Sequence, residues 1–119
     1  LTLRGDLLAA ANRPADAARA YAAAAQIAPS SELTQRQAAA WRAAGNDEAA
    51  MQALNAWLAR TPDDAGVLNL AAQLDILAGR NADAVRRLGT VIARTPDNAV
   101  ALNNLAWLTQ AEGRPDDLA

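Results

Sequence analysis

The stretch Ala59-Arg60-Thr61-Pro62-Asp63 recurs as Ala93-Arg94-Thr95-Pro96-Asp97, 34 positions further along the chain. A fixed period of this length marks one supersecondary unit stacked on the next, and it constrains the architecture before any single residue is interpreted. The glycines keep the same step: Gly45, Gly79 and Gly113 lie 34 apart. One register earlier, Pro29 precedes Pro62 by 33 and Asn12 precedes Gly45 by 33, so the first junction is one residue shorter. Asn substitutes for Gly there because both tolerate the left-handed conformation that ends a helix.

Each period reads as two helices split by the Gly or Asn and closed by the proline. Glycine supplies a positive φ at the end of the first helix, and proline, lacking an amide, stops the second and stiffens the turn to the next unit. Polar residues suited to N-capping follow each proline: Ser30 and Ser31, Asp63 and Asp64, Asp97 and Asn98. The spacing predicts helices near 1–11, 15–28, 31–44, 47–60, 64–78, 81–94 and 98–112, with an eighth starting at about 115. It divides the chain into a partial repeat (1–30), two whole repeats (31–64 and 65–98) and a second partial repeat (99–119).

The fold class expected is therefore all-α: a superhelical solenoid of antiparallel helix pairs with about seven to eight helices. Composition agrees. The chain has 119 residues, 52% of them apolar, with 3% aromatics and no Phe. With alanine supplying much of the apolar share, the helices must meet across small side chains.

The same composition narrows the functional classes. All 11 basic residues are Arg, set against 13 acidic ones, for a net charge of −2. A nucleic-acid partner would require a basic face to displace phosphate counterions. No run approaches the roughly 20 apolar residues of a membrane span. Histidine and cysteine are absent, which removes the common general base, metal ligand and thiol nucleophile, along with disulfides and thiolate zinc sites. The carboxylates Asp63, Asp64, Asp97, Asp116 and Asp117 fall where caps belong and are read as caps, ahead of cation ligands or an acid/base pair. No enzyme activity, metal or cofactor is expected.

The pattern resembles the tetratricopeptide repeat over essentially the whole chain. That family's small residue in the first helix falls on Gly5, Ala38, Ala72 and Ala106. Its alanine in the second helix falls on Ala17, Ala50 and Ala84, its bulky position on Tyr21, Leu54 and Leu88, and its proline on Pro29, Pro62 and Pro96. Leu118 departs from the alanine, and Asp75 and Thr109 stand where Trp41 keeps the aromatic. The segment Ala101-Leu102-Asn103-Asn104-Leu105-Ala106-Trp107-Leu108 is more narrowly similar to bacterial exopolysaccharide-export proteins of this class, including lipoproteins associated with PEP-CTERM sorting. The Ala-rich, Arg-only composition suits a GC-rich bacterial genome. The residues themselves leave the compartment open; the narrower resemblance implies the periplasm or cell envelope.

The resemblance implies a non-catalytic scaffold whose first helices line a concave groove for a protein or peptide. On this chain that face carries Asp6, Gln35, Ala39, Arg42, Asn69, Gln73, Ile76, Asn103, Trp107 and Gln110. The groove contacts are assigned to Gln35, Arg42, Asn69, Gln73, Asn103, Trp107 and Gln110, with the amides pairing to ligand backbone and Trp107 as an apolar anchor. Solvation of an exposed face and packing of Trp107 against a neighbouring helix are the competing readings. Relatives that clamp a peptide carboxylate use Lys, Arg and Asn on this face; Lys is missing here and Asp6 stands among the corresponding positions, which favours a neutral or mildly basic ligand.

The alternative function is self-association, in which repeats stack chain on chain as a homodimer through apolar edges around Leu102, Leu105 and Leu108. Trp41 and Trp57 are read as core. Asp75 is read as reaching solvent, with Arg42 or an Arg of a second helix as its partner if buried, and Asp75→Leu is expected to be tolerated.

Overall fold

The computed structural model describes the backbone of residues 5–7 and 13–118, and the side chains of these residues as far as 110. Every regular element among the described residues is an α-helix. Residues 5–7 are helical (α1). They are followed by α2 (Pro14–Ile27), α3 (Ser31–Ala43), α4 (Asp47–Arg60), α5 (Ala65–Leu77), α6 (Asn81–Arg94) and α7 (Ala99–Leu118). The chain divides after Val67 into two compact units. Among the described residues no helix is long and apolar enough to cross a membrane. The helix expected over 1–11 lies mostly outside the described residues.

Three caps carry the period into the backbone. Ser30 Oγ accepts from the Leu33 amide at 3.1 Å, Asp64 Oδ1 from Val67 at 3.2 Å, and Asn98 Oδ1 from Ala101 at 3.0 Å. Of each polar pair that follows a proline, the residue that caps α3, α5 or α7 is the one on a strict 34-residue step. Each satisfies an amide that the first helical turn leaves without a partner. The opposite ends of α3 and α5 are closed by Gly45 at φ +79° and Gly79 at φ +81°. There Asn46 N donates to Trp41 O at 2.9 Å and Arg80 N to Asp75 O at 2.7 Å, the same bond one period apart.

In the first unit, α2 packs on α3 and α3 on α4. Ala17, Ala18, Tyr21 and Ala40 form a buried cluster, with Leu33 and Trp41 packed against it. Tyr21 also lies over Gly5, where an added Cβ would come within 2.6 Å of its ring, so this contact requires the missing side chain. Ala38, Ala50 and Leu54 are fully buried. Trp41 and Trp57 are only half-buried, against the expectation of core residues. The Arg19 guanidinium lies 5.9 Å from the Trp41 ring centre and Arg60 lies 5.8 Å from that of Trp57, so each indole shows one face to a cation.

In the second unit α6 packs on α7, and Leu68, Ala71, Ala72, Leu74, Ala84, Leu88, Val91, Ala101 and Leu108 are buried. Asp75 corrects the sequence reading. Instead of reaching solvent it is 1% exposed, with Oδ1 accepting from Arg80 Nε at 2.8 Å and Oδ2 from Arg87 Nε at 2.7 Å. The physical reason is a paired exchange. One period earlier the positions of Asp75 and Arg87 hold Trp41 and Ala53; where the aromatic is lost, a guanidinium replaces the small residue and neutralises the carboxylate. A buried charge is tolerable only with such partners.

The C-terminal end departs as well. A turn near Gly113 and an eighth helix were expected, whereas α7 continues to Leu118. At Gly45 and Gly79 the reversal leads into a 14-residue second helix. At Gly113 no such reversal occurs, and Ala106 on α7 is exposed, although its counterparts Ala38 and Ala72 are buried.

Removing the Asp75 carboxylate strands Arg87, whose side chain is only 15% exposed. Asp75→Leu therefore lowers stability by about 3 kcal/mol in urea unfolding, and the double change Asp75→Leu with Arg87→Leu restores most of the loss. Gly79→Ala costs about 1 kcal/mol because of its left-handed backbone. Gly89→Ala, in the middle of α6 with open space around it, gains about 0.5 kcal/mol in the same assay.

Candidate functional site

The residues assigned to the groove behave differently in the two units. In the first, Gln35 is half-buried on α3 and its Nε2 donates to Ser31 Oγ at 3.0 Å. Arg42 is half-buried in the last turn of the same helix, and its Nε is buried with no acceptor among the described residues. Asp6, expected on the same face, is engaged by its neighbours: it accepts a short hydrogen bond from the Tyr21 hydroxyl, and both its oxygens lie 3.2 Å from Arg36 Nη1. Burial, then the bond to Asp6 and the charge of Asp6, push the Tyr21 phenol above its ordinary value.

In the second unit, Asn69 on α5 is tied to α7. Its Nδ2 donates at 3.3 Å to Asn98 Oδ1, the cap of that helix, while its Oδ1 is buried with no donor among the described residues. Gln73, one turn along α5, is exposed. Asn103, Trp107 and Gln110 are all exposed and fall at i, i+4 and i+7 of α7, which puts them on one face of that helix. Trp107 is 55% exposed. Asn104, which the sequence reading did not assign, has a buried Nδ2 with no acceptor among the described residues. The apolar edge expected at Leu102, Leu105 and Leu108 is graded: Leu102 is exposed, Leu105 half-buried and Leu108 buried.

The first unit also contains a cavity that the sequence reading did not anticipate. It has a volume of about 390 Å³, opens among α2, α3 and α4, and includes none of the assigned groove residues. Ala22, Ala25, Ala53 and Ala56 line it, together with the ring of Trp57, the Arg60 side chain, and the amides Gln26 and Gln37. The signal available in the sequence was size. Counted by the period, Ala25, Thr34 and Ala53 stand where the next repeat has Leu58, Leu68 and Arg87. Trp57 is held at the wall by its Nε1–H, which donates to Asp64 Oδ2 at 2.7 Å. Burial pushes the Asp64 carboxyl up, but hydrogen bonds from Ser31, Trp57 and the Val67 and Gly66 amides outweigh it and hold the group below its ordinary value.

No group of three or more side chains that could hold a metal ion occurs among the described residues. No protein-family model matches the chain, and no curated protein matches it in sequence.

Because the Asp64 carboxyl is lowered on folding, its contribution to stability is fully present above its unfolded value of 3.8 and is lost as the pH falls through the lower folded value. Asp64→Asn keeps a competent cap but loses the charge. It is expected to be about 1 kcal/mol less stable than the parent at neutral pH, with the gap closing below pH 3.8 when unfolding is followed by tryptophan fluorescence.

Proposed function

We propose that this chain is a segment of a tetratricopeptide-type solenoid, a non-catalytic scaffold whose first helices hold an extended protein or peptide segment. The observation that carries the reading is the face of α7 on which Asn103, Trp107 and Gln110 are all exposed, at i, i+4 and i+7. Their two amides would pair with the backbone of an extended segment, and Trp107 would add an apolar anchor between them.

A scaffold needs no nucleophile, general base or metal, and the absence of His and Cys is compatible with that role. A bacterial envelope or exopolysaccharide-export assembly is the setting suggested by the similarity of residues 101–108. Self-association is the second reading. It is favoured by the exposure of Val100 at 54% and Leu102 at 42%, on the same helix as Trp107.

The test is co-purification from the host, comparing the parent protein with an Asn69→Ala, Asn103→Ala, Trp107→Ala variant shown to be folded by circular dichroism. A partner retained by the parent and lost by the variant is the expected result; retention by both removes the first helices as the site. Concentration-dependent sedimentation of the parent that Leu102→Glu abolishes would establish the second reading instead.

A further inference from the structure

We propose that the cavity among α2, α3 and α4 is a second docking site, for a peptide segment that carries an apolar side chain beside a carboxylate. Its lining shares no residue with the groove assignment. Size sets the first limit. Ligand pockets run from roughly 300 to 1,000 Å³, so a cavity of about 390 Å³ admits one or two side chains. The lining sets the second: Ala22, Ala25, Ala53, Ala56 and the Trp57 ring offer an apolar floor, which suits an aliphatic or aromatic side chain.

Charge selects the companion group. Arg60 is the single charged residue of the lining and no carboxylate shares it. Among the described residues Arg60 forms no ion pair; its guanidinium stands 5.8 Å from the centre of the Trp57 ring. A cation–π contact of this kind draws the guanidinium towards the ring and leaves N–H groups for a carboxylate, at a smaller entropy cost than a free side chain would carry. The indole is fixed in turn, because its N–H is committed to Asp64. Asp64 itself is occupied by the Val67 amide, so its charge is directed at the helix terminus. Gln26 and Gln37 complete the wall with groups able to bond a peptide backbone.

The cavity is also not a by-product of the repeat. One period later the equivalent positions carry Leu58 and Leu68, both buried, and Arg87, which is drawn to Asp75. The positions of Gln37 and Trp57 change as well, to Ala71 and Val91, so the lining is not repeated one period later.

The experiment titrates isotope-labelled protein with two hexapeptides, one with leucine beside aspartate and one with leucine beside lysine. The Trp57 indole N–H and the amides of Ala25, Ala53 and Ala56 are followed by NMR. The acidic peptide is expected to shift these resonances and to bind about tenfold more tightly, the scale of one charge-assisted hydrogen bond. Arg60→Glu, at an exposed position, reverses the order. Ala53→Arg, which installs the residue found one period later, abolishes the shifts. Equal affinity for the two peptides, no shifts at millimolar concentration, or shifts that survive Arg60→Glu unchanged would each overturn the proposal. The Asn69→Ala, Asn103→Ala, Trp107→Ala variant binds the acidic peptide as the parent does, which separates this site from the groove.

Discussion

Close approach of helix backbones across alanine is the constraint on which the rest of this structure depends. Ala17, Ala50 and Ala84, each early in a second helix, are completely buried, as are Ala38 and Ala72 in the first helices facing them in sequence. A methyl group removes little area from water, so such a contact is stabilising only when the two backbones come near enough for dispersion along the whole crossing. Larger residues then fill the flanks, as Leu54 and Leu88 do. Because contacts of this kind tolerate no added volume, the helices must start and stop at fixed places, and the caps and glycine turns recur with the same period.

Charge in this protein is used locally. Arg36 joins Asp6 and Glu32, Arg19 and Arg13 share Asp16, and Arg86 meets Asp83. These pairs are mostly solvent-exposed and each contributes little to stability. The Asp75 pairs differ because the carboxylate is buried. The orphaned atoms of Arg42, Asn69 and Asn104 differ again, being polar groups withdrawn from water without the compensation that Asp75 receives.

Much of the fold was legible in the sequence because the features that fix it act over a few residues. Gly45 and Gly79 declare a positive φ, and Ser30, Asp64 and Asn98 declare helix starts, through chemistry that needs no knowledge of distant neighbours. What failed required the third dimension. The burial of Asp75 depends on Arg87, twelve positions away on the next helix; an Arg of a second helix is the partner the sequence offers for a buried Asp75, and the comparison of Trp41 with Ala53 against Asp75 with Arg87 points to which one. The cavity beside Trp57 is an absence of volume, visible in sequence solely as alanines where the next period has larger residues. Of the groove assignment, which came from the resemblance, Asn103, Trp107 and Gln110 are exposed on one face of α7, whereas nothing in the resemblance foretold that Asn69 would lean on the cap of that helix.

The exchange of Trp41 and Ala53 for Asp75 and Arg87 has a consequence for how such a chain diversifies. Carboxylate and guanidinium lie within a single 34-residue block, together with Arg80, the other partner of that carboxylate. A duplication or deletion of that block would carry the charge and its counter-charge together, and no other repeat would have to change to accommodate it. Divergence confined in this way lets neighbouring repeats acquire unlike interiors while the array keeps its period, so each block is free to become a different kind of surface.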